Sequence, residues 1–279
     1  MSYQSILVHV DSSPDCINRV ELAASLAQRF GAHLTGIFTT WLPTLEASMA
    51  EAPLHDVTAA AEKYAEKYAK QAKATFDKVI HAVGIDNIEW RQSIDSPIEA
   101  LCLHARYHDL VILGQRNPDK HIDNLPRDFV QAVVLGAGRP VLVVPYLGSF
   151  TEFGKRALVG WDAGRESIRA LTDALPLLKR AQKTSLQTFN AKQFLSHQGE
   201  LPGSDISLFL ARHGVEVELL ANINGVNDVG GLLLSTAADV DADFLVMGAY
   251  GHSRLVEIML GGATKTVLES MTVPVLMSH

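Results

Sequence analysis

The sequence lacks most of the features that would assign it to a class of large partner. Its net charge of −7 leaves no clustered surplus of Lys and Arg, which a general nucleic-acid surface requires. No apolar run reaches the roughly 18 residues of a membrane span. The two cysteines, Cys16 and Cys102, fall in helix-like segments and are better explained as buried thiols than as a disulfide or a metal pair. We therefore expect neither nucleic acid nor a membrane as a partner.

The start of the chain shows no sign of export. Residues 1–4 lead directly into a strand-like run, without the basic segment or the cleavage site of a signal peptide. A cytoplasmic location is the expectation that follows. Apolar residues make up 47% of the chain, which is enough for a packed core. The length of 279 residues fits either one large domain or two of about 140 residues.

Recognisable catalytic motifs are also missing. The chain has no Walker-type G-x4-G-K-[ST] loop and no Ser-Gly-Gly-x-Asp-Ser loop, which are signatures of related folds that consume ATP. No Ser-His-Asp or Cys-His set can be assigned from the spacing of these residues. We therefore assign no catalytic residue and no metal ligand.

What the chain does contain is two copies of one module. Ile6–Asp11 and Ala157–Asp162 are short apolar runs that end in Asp and lead into a helical pattern, at an offset of 151 residues. Asp109–Gly114 and Asp243–Gly248 match each other at an offset of 134 residues, as do two Pro-Val-Leu segments near the ends of the copies. Two offsets, each held over a separate block, indicate an internal duplication.

The two offsets also predict the domain organisation. Their difference means that the first copy carries 17 extra residues, which we place in Trp41–Pro53. The copies join near 146–155, a Gly- and Phe-containing stretch that is typical of a short linker. The predicted domains are therefore residues 1–148 and 149–279.

Within each copy, strand patterns alternate with helical patterns. Near-continuous apolar strands that alternate with helices predict an α/β fold with a parallel sheet covered on both faces. Ligands of such sheets bind outside the C-terminal ends of the strands. The predicted strands lie near 5–10, 33–39, 87–92, 109–114, 141–145, 156–161, 184–189, 215–220, 243–248 and 273–277, and the predicted helices near 14–30, 56–82, 96–106, 127–137, 165–181, 203–213, 229–240 and 261–270.

A glycine pattern marks the end of the second copy. Gly248, Gly251, Gly261 and Gly262 follow the apolar run 244–247 with the spacing G-x2-G-x9-G-G. Glycine lets the backbone come close to a ligand, and a helix that begins after the glycines would present free N–H groups to an anion. The pattern is consistent with a phosphate-binding loop, and the alternative is that the glycines only make turns.

These features together resemble a tandem universal stress protein, over essentially the whole chain. The resemblance rests on the strand that ends in Asp at the start of each half, on the glycine loop of the second half and on the Pro-Val-Leu final strands. It implies two tandem five-stranded parallel sheets, Rossmann-like and of the adenine nucleotide alpha hydrolase-like type, which form an intramolecular pseudo-dimer. Nucleotide-binding members of this family hold ATP at the C-terminal strand edge with a G-x2-G-x9-G-(S/T) loop.

The family pattern implies a set of nucleotide-binding residues. The three separated glycines would contact the phosphates, Asp162 would lie beside the adenosine, and Thr188 or Phe189 would contact the adenine. His252 and Arg254 could reach a phosphate, although exposed loop side chains are an equally good interpretation of them. The complete set of candidates is Asp162, Thr188, Met247, Gly248, Gly251, His252, Arg254, Gly261, Gly262, Ala263 and Thr264.

The chain departs from the family pattern in both halves. Gly262 stands where the family has Ser or Thr, so a phosphate-contacting hydroxyl worth roughly 1.5–3 kcal/mol is missing, and Thr264 or Thr266 is a candidate to replace it in part. In the first half, Asn117 replaces the second glycine and Pro126-Arg127-Asp128 replaces the glycine pair. We therefore expect no ATP in the first half, where Asp11 fits an ordinary helix N-cap.

Three classes of function are compatible with these residues. The leading one is a nucleotide-binding regulatory stress protein with one competent site in the second half, which takes ATP with Mg²⁺ as an accompanying ion, or AMP or ADP. The second is a scaffold or interaction protein that needs no nucleotide, an alternative that Gly262 keeps open. The third is an enzyme, for which the resemblance implies at most slow ATP hydrolysis or autophosphorylation. Pairing of the two halves is expected within the chain, and a homodimer is optional.

Overall fold

The structure is a computed structural model that describes residues 2–39, 54–119, 125–189, 203–221, 223, 225–251 and 262–279. The predicted insertion at Trp41–Pro53 lies outside the described residues. The helix that follows it is described from Leu54 onward. Two compact units divide the chain, an N-terminal unit over Tyr3–Arg139 and a C-terminal unit that takes in Pro140–His279. Within the described part of the chain, no helix combines the length and the hydropathy that a membrane span requires.

The N-terminal unit alternates strands and helices as predicted. Its strands form a fully parallel arrangement in the order β3-β2-β1-β4. The elements, in chain order, are β1 Ser5–His9, α1 Cys16–Phe30, β2 His33–Thr39, α2 Leu54–Val83, β3 Ile88–Ser93, α3 Pro97–Ala105, β4 Leu110–Gly114 and α4 Phe129–Gly136.

The C-terminal unit repeats this pattern with one additional strand at its start. Its strand order is β5-β10-β9-β6-β7-β8, and every neighbouring pair is parallel except β5 with β10. The elements are β5 Val141–Val144, β6 Arg156–Trp161, α5 Arg165–Leu178, β7 Lys183–Thr188, α6 Ser204–Arg212, β8 Glu218–Leu219, α7 Val229–Asp239, β9 Phe244–Gly248, α8 Ala263–Ser270 and β10 Val275–Ser278. The predicted α/β fold, with five strands in each sequence copy, is confirmed.

Strand β5 explains where the compact units divide. It belongs to the first copy by sequence, yet it pairs antiparallel with β10 in the register Val143 with Val275 and Leu142 with Leu276. The C-terminal unit therefore begins at Pro140, ahead of the predicted domain boundary at 148/149. That boundary and the pairing of the two predicted domains remain predictions.

Local sequence signals account for the helices that position the strand ends. Gly31 ends α1 in the left-handed conformation (φ 63°), where its N–H bonds to the carbonyls of the last turn. Ser96 caps α3 by accepting from the Glu99 N–H, and Pro97 occupies the first helical position. In α2, Ala72, Phe76 and Val79 recur at three- and four-residue steps and are buried, with Phe76 fully inaccessible.

The central strands are buried throughout, as the near-continuous apolar runs predicted. Ile6 in β1, Ile112 in β4 and Phe244 in β9 have no accessible surface. Helices cover both faces of a parallel sheet of this kind, so its strands have no polar face to expose. A ligand would therefore reach the sheet at the ends of its strands, and the candidate site lies there.

Candidate functional site

The candidate site lies at the carboxyl ends of two neighbouring strands in the C-terminal unit. Strands β6 and β9 pair in parallel, with Leu158 opposite Leu245 and Val159 opposite Val246. The chain leaves β6 at Asp162 and leaves β9 at Gly248. Parallel strands that are neighbours end at the same edge of a sheet, so these two predicted residues lie side by side as expected.

Asp162 keeps an exposed side chain at this edge. Its Oδ1 accepts a hydrogen bond from the Gly164 N–H at 2.8 Å, which closes a tight turn before α5. The residue between them, Ala163, has a φ of 63°, a conformation that non-glycine residues seldom adopt. The N-cap of α5 is Gly164, so Asp162 does not cap the helix. The Asp162 side chain is exposed, so a ligand can reach its carboxylate.

Gly248 is required by packing. A Cβ at this position would lie 2.5 Å from the Ser167 nitrogen and 2.6 Å from the Glu166 carbonyl carbon, both of them backbone atoms of the first turn of α5. The helix therefore approaches the end of β9 more closely than any side chain would permit. Gly248 brings α5 to the site edge, which is a different role from the predicted phosphate contact.

The turn after β9 is held to the start of α8. Tyr250 has a φ of 57°, and its N–H donates to the Thr264 Oγ1 at 3.2 Å. The Thr264 side chain is buried, with 2% of the residue exposed. Its hydroxyl therefore links the glycine turn to α8, which the sequence had suggested only as a substitute for a missing phosphate contact.

Helix α8 begins beside this turn without a side-chain cap. Gly262 is its N-cap, with a φ of −53° and a ψ of 160°, and Ala263 is its first residue. A glycine cap supplies no side-chain oxygen to the first-turn N–H groups, although the Gly262 carbonyl accepts from the Lys265 N–H at 2.9 Å. The structure thus places Asp162 and Gly248 at neighbouring strand ends, and it joins the turn that contains Gly251 to the helix start at Gly262, Ala263 and Thr264.

The remaining predicted residues divide into two groups. Thr188 and Met247 are buried, with 1% and 5% of their surface exposed. The Thr188 carbonyl accepts from the Ile223 N–H and from the Gln187 side chain. His252, Arg254 and Gly261 lie outside the described residues.

Glu166 is a residue of this site that sequence reasoning missed. It lies in the first turn of α5, and its side chain is 10% exposed. One carboxylate oxygen accepts from Arg165 Nη2 at 3.1 Å, and the other lies 3.1 Å from the position that a Cβ on Gly251 would take. The sequence did contain a signal for it, because the charged pair Arg165-Glu166 lies at the start of the helix that is predicted to follow the strand ending in Asp162.

The corresponding edge of the N-terminal unit is closed by a buried ion pair. Arg19, in α1, donates from Nη2 to Asp11 Oδ2 at 2.8 Å, and both residues are at least nine-tenths buried. A Cβ on Gly114 would overlap the Arg19 guanidinium. The offset of 151 residues pairs Arg19 with Ala170, so α5 has no arginine at the equivalent helix position to pair with Asp162. The N-cap of α1 is Asp15, and the expectation that Asp11 caps this helix is wrong.

Burial and charge shift the pKa values around this ion pair. Burial alone would raise the pKa of Asp11, but Arg19, His9 and the Ser13 hydroxyl lower it to about 2. Burial, reinforced by Arg19, lowers the pKa of His9 to about 4. Burial also raises the pKa of the Cys16 thiol to about 11, so this cysteine is unreactive at neutral pH.

The second glycine of the loop is also replaced by a bonded side chain in the N-terminal unit. Asn117 corresponds to Gly251, and its Nδ2 donates to Asp15 Oδ2 at 3.1 Å. The same side chain accepts from the Asp119 N–H at 3.0 Å. Both ends of the amide are therefore used within the protein, and no open turn is left at this edge.

The comparison with known families agrees with this geometry. The sequence model of the universal stress protein family matches residues 2–145 and 209–279. The chain belongs to the universal stress protein family. No curated protein sequence gives a significant match.

Solved structures of universal stress proteins share the fold over the whole chain. One, from Archaeoglobus fulgidus DSM 4304, has a TM-score of 0.71 at 16% identity and covers 98% of this chain and 95% of that chain. A functionally unknown protein from Pseudomonas aeruginosa PAO1 has a TM-score of 0.58 at 19% identity and covers 99% of this chain and 92% of that chain. At these identities the matches show the fold alone.

A shorter universal stress protein also matches half of the chain. It comes from Archaeoglobus fulgidus and was solved in complex with dAMP. It has a TM-score of 0.34 at 18% identity and covers 51% of this chain and 98% of that chain. The dAMP is a property of that protein.

Proposed function

We propose that this universal stress protein binds one adenine nucleotide, at the edge of β6 and β9 in its C-terminal unit, and acts as a regulatory protein in a stress response. ATP is the proposed ligand, with Mg²⁺ as its accompanying ion and AMP or ADP as alternatives. The protein is proposed to work in the cytoplasm. Any hydrolysis of ATP would be slow, because no side chain is assigned to catalysis.

The observation that carries this proposal is the contrast between two equivalent aspartates. Asp11 is buried and ion-paired with Arg19, whereas Asp162 is exposed at an open strand edge. The glycine loop, which the second half has and the first half lacks, already distinguishes the two halves by sequence. The contrast in burial supports a ligand in the second half and none in the first.

The backbone around Asp162 supports the same assignment. Two non-glycine residues with positive φ, Ala163 and Tyr250, flank the edge on the β6 and β9 sides. Strained backbone of this kind costs of order 1–3 kcal/mol per residue and tends to occur at ligand sites. The uncapped start of α8 at Gly262 adds a group of N–H donors suited to a phosphate.

Titration calorimetry of the full chain with ATP in the presence of Mg²⁺ tests this proposal. We expect a stoichiometry near one, because a single edge is open. Gly251→Asp should abolish binding, since it adds a charged side chain in the loop, whereas Arg127→Gly, at the corresponding loop of the first half, should leave binding intact. Two equal sites, or the opposite response of the two variants, would contradict the proposal.

A scaffold protein that needs no nucleotide is the second candidate. The carboxylate of Glu166 beside Gly251 favours it, because a negative charge opposes phosphate at that position. Ligand-dependent melting separates the two candidates. A nucleotide-binding protein should melt at a higher temperature with ATP and Mg²⁺, or with adenosine, than without them, and a scaffold should show no change with either ligand.

A further inference from the structure

Glu166 places a negative charge where the loop would receive a phosphate. The backbone of Glu166 packs against Gly248, and this contact fixes the start of α5. The carboxylate of Glu166 lies 3.1 Å from the position that a Cβ on Gly251 would take. A phosphate oxygen that accepts from the Gly251 N–H would lie about 3 Å from that nitrogen. The two anions would then be well within the roughly 10 Å over which charges interact at 0.1 M salt.

The equivalent carboxylate in the N-terminal unit has a partner that Glu166 lacks. Asp15 occupies the same position in α1 as Glu166 in α5, by the offset of 151 residues. Asp15 receives a hydrogen bond from Asn117 Nδ2 at 3.1 Å. Gly251 stands at the position of Asn117 and has no side chain to donate. The same helix position thus faces an amide in one unit and an open turn in the other.

Among the described residues, the charges near Glu166 do not cancel its own. Arg165, its ion-pair partner, is 92% exposed and so is heavily screened by water. Burial would raise the pKa of Glu166, but a hydrogen bond from its own backbone N–H, together with Arg165 and His279, lowers the pKa below the ordinary value. Glu166 is therefore ionised at neutral pH.

We propose that Glu166 makes binding of ATP at this edge depend on a divalent cation. This inference rests on the proposed function, because it concerns the same nucleotide. Free ATP would be repelled by the carboxylate, whereas Mg²⁺ is commonly held by one or two carboxylates together with phosphate oxygens. Glu166 is thus a specificity-determining residue that selects against uncompensated phosphate charge.

The proposal predicts a dependence on phosphate charge that an uncharged site would not show. Without divalent cation, the affinity of the full chain should fall from adenosine to AMP to ATP. Addition of Mg²⁺ should raise the affinity for ATP by about tenfold or more, since one compensated charge at this range has an effect of that size. The affinity for adenosine, which carries no phosphate, should not respond to Mg²⁺.

Titration calorimetry with adenosine, AMP and ATP, each in EDTA and in Mg²⁺, provides the test. Glu166→Gln keeps the size of the side chain and removes its charge. Because its amide retains one acceptor oxygen and carries no charge, Glu166→Gln should bind ATP in EDTA about tenfold or more tightly than the wild type, and its gain from Mg²⁺ should shrink. Asp15→Asn is the matched control at the equivalent helix position, and its affinities should equal those of the wild type. A thermal melt of each variant checks that it is folded.

Three results would contradict the proposal. The first two leave the proposed function intact, and the third contradicts both. If ATP binds the wild type equally well with and without Mg²⁺, Glu166 does not control the site, although nucleotide binding stands. The same holds if folded Glu166→Gln binds ATP in EDTA no better than the wild type. If adenosine, AMP and ATP all fail to bind the wild type and Glu166→Gln in every condition, both the proposed function and this inference are wrong.

Discussion

Arg19 is the residue that most distinguishes the two halves. Its guanidinium is buried with Asp11 at the carboxyl edge of β1 and β4, and its Nε has no hydrogen-bond partner among the described residues. Burying two charges is costly unless each compensates the other, so the pair contributes little as a whole, yet either partner alone would be strongly destabilising. Both members of the ion pair are therefore needed for the stability of this edge of the sheet.

The first prediction concerns this pair. Arg19→Ala should lower the free energy of unfolding of the N-terminal unit by about 3–5 kcal/mol, because it leaves the Asp11 carboxylate buried without its cation. Hydrogen exchange of the β1 and β4 amides in the full chain measures this unit alone. Arg165→Ala removes the exposed partner of Glu166 and should change little. The double variant of Arg19 and Asp11 to Ala should be more stable than Arg19→Ala, and the reverse order would contradict the ion-pair account.

The second prediction concerns acid stability. His9 is buried against the Phe129 ring, and its pKa is lowered from 6.5 to about 4 in the folded chain. At pH 5 the unfolded chain therefore binds a proton at His9 that the folded chain does not, so acid favours unfolding. The contribution is complete above pH 6.5 and is lost as the pH falls toward 4, by about 3 kcal/mol over the whole window.

His9→Gln removes this titration and is the test of it. Hydrogen exchange of β1 at pH 7 and pH 4.5 should show that the wild type loses more stability on acidification than the variant does. Other histidines with lowered pKa values, such as His108, contribute equally to both proteins and cancel in the comparison. An identical acid response in the two proteins would mean that folding does not lower the pKa of His9.

Residues such as Arg19 and Glu166 mark the limit of what the sequence could predict. Arg19 falls between the buried Cys16 and Val20 on the apolar face of α1, which signals a buried cation, but its partner is set by the strand that ends in Asp11. Glu166 reads as an ordinary acidic residue in the first turn of a helix. Its place beside Gly251 depends on how closely α5 approaches β9, which no local pattern specifies.

At the scale of elements, the approach of α5 to β9 shapes the site. Both the helix and the strand were predictable, because 244–247 is a continuous apolar run and a helical pattern follows Asp162. The predicted strand at 215–220 is the weakest of the set. Only Glu218–Leu219 forms as β8, because both residues are exposed and the strand pairs with β7 alone.

The third prediction separates the packing role of one glycine from the loop role of another. Gly248→Ala should destabilise the C-terminal unit by about 1–3 kcal/mol, because the new methyl group would collide with backbone atoms of α5. In Gly251→Ala, the nearest atom is the end of the Glu166 side chain, which can move, so stability should change little. Hydrogen exchange of α5 and β9 compares the two variants. Equal losses of stability in the two variants would show that α5 does not pack too closely against Gly248 to admit a side chain.

At the scale of the whole molecule, the duplication explains most of the architecture but not its boundary. Two offsets in the sequence predicted ten strands, and each copy supplies five. The direction and the register of β5 could not be predicted, because Val141–Val144 is apolar on every position and fits any neighbouring edge. Its pairing with β10 comes from tertiary packing, and it moves the start of the C-terminal unit to Pro140.

The last prediction tests the role of β5. Val143 lies opposite Val275 and Leu142 opposite Leu276, so a fragment of residues 151–279 would retain β10 but lose its antiparallel neighbour. An exposed, fully apolar strand edge invites pairing with another chain. We expect the isolated fragment to self-associate or to become insoluble, under conditions in which the full chain remains dispersed. Size-exclusion chromatography with light scattering measures the mass, and far-UV circular dichroism checks that the fragment is folded. A folded fragment that stays monomeric at high concentration would show that β5 is not needed to cover β10.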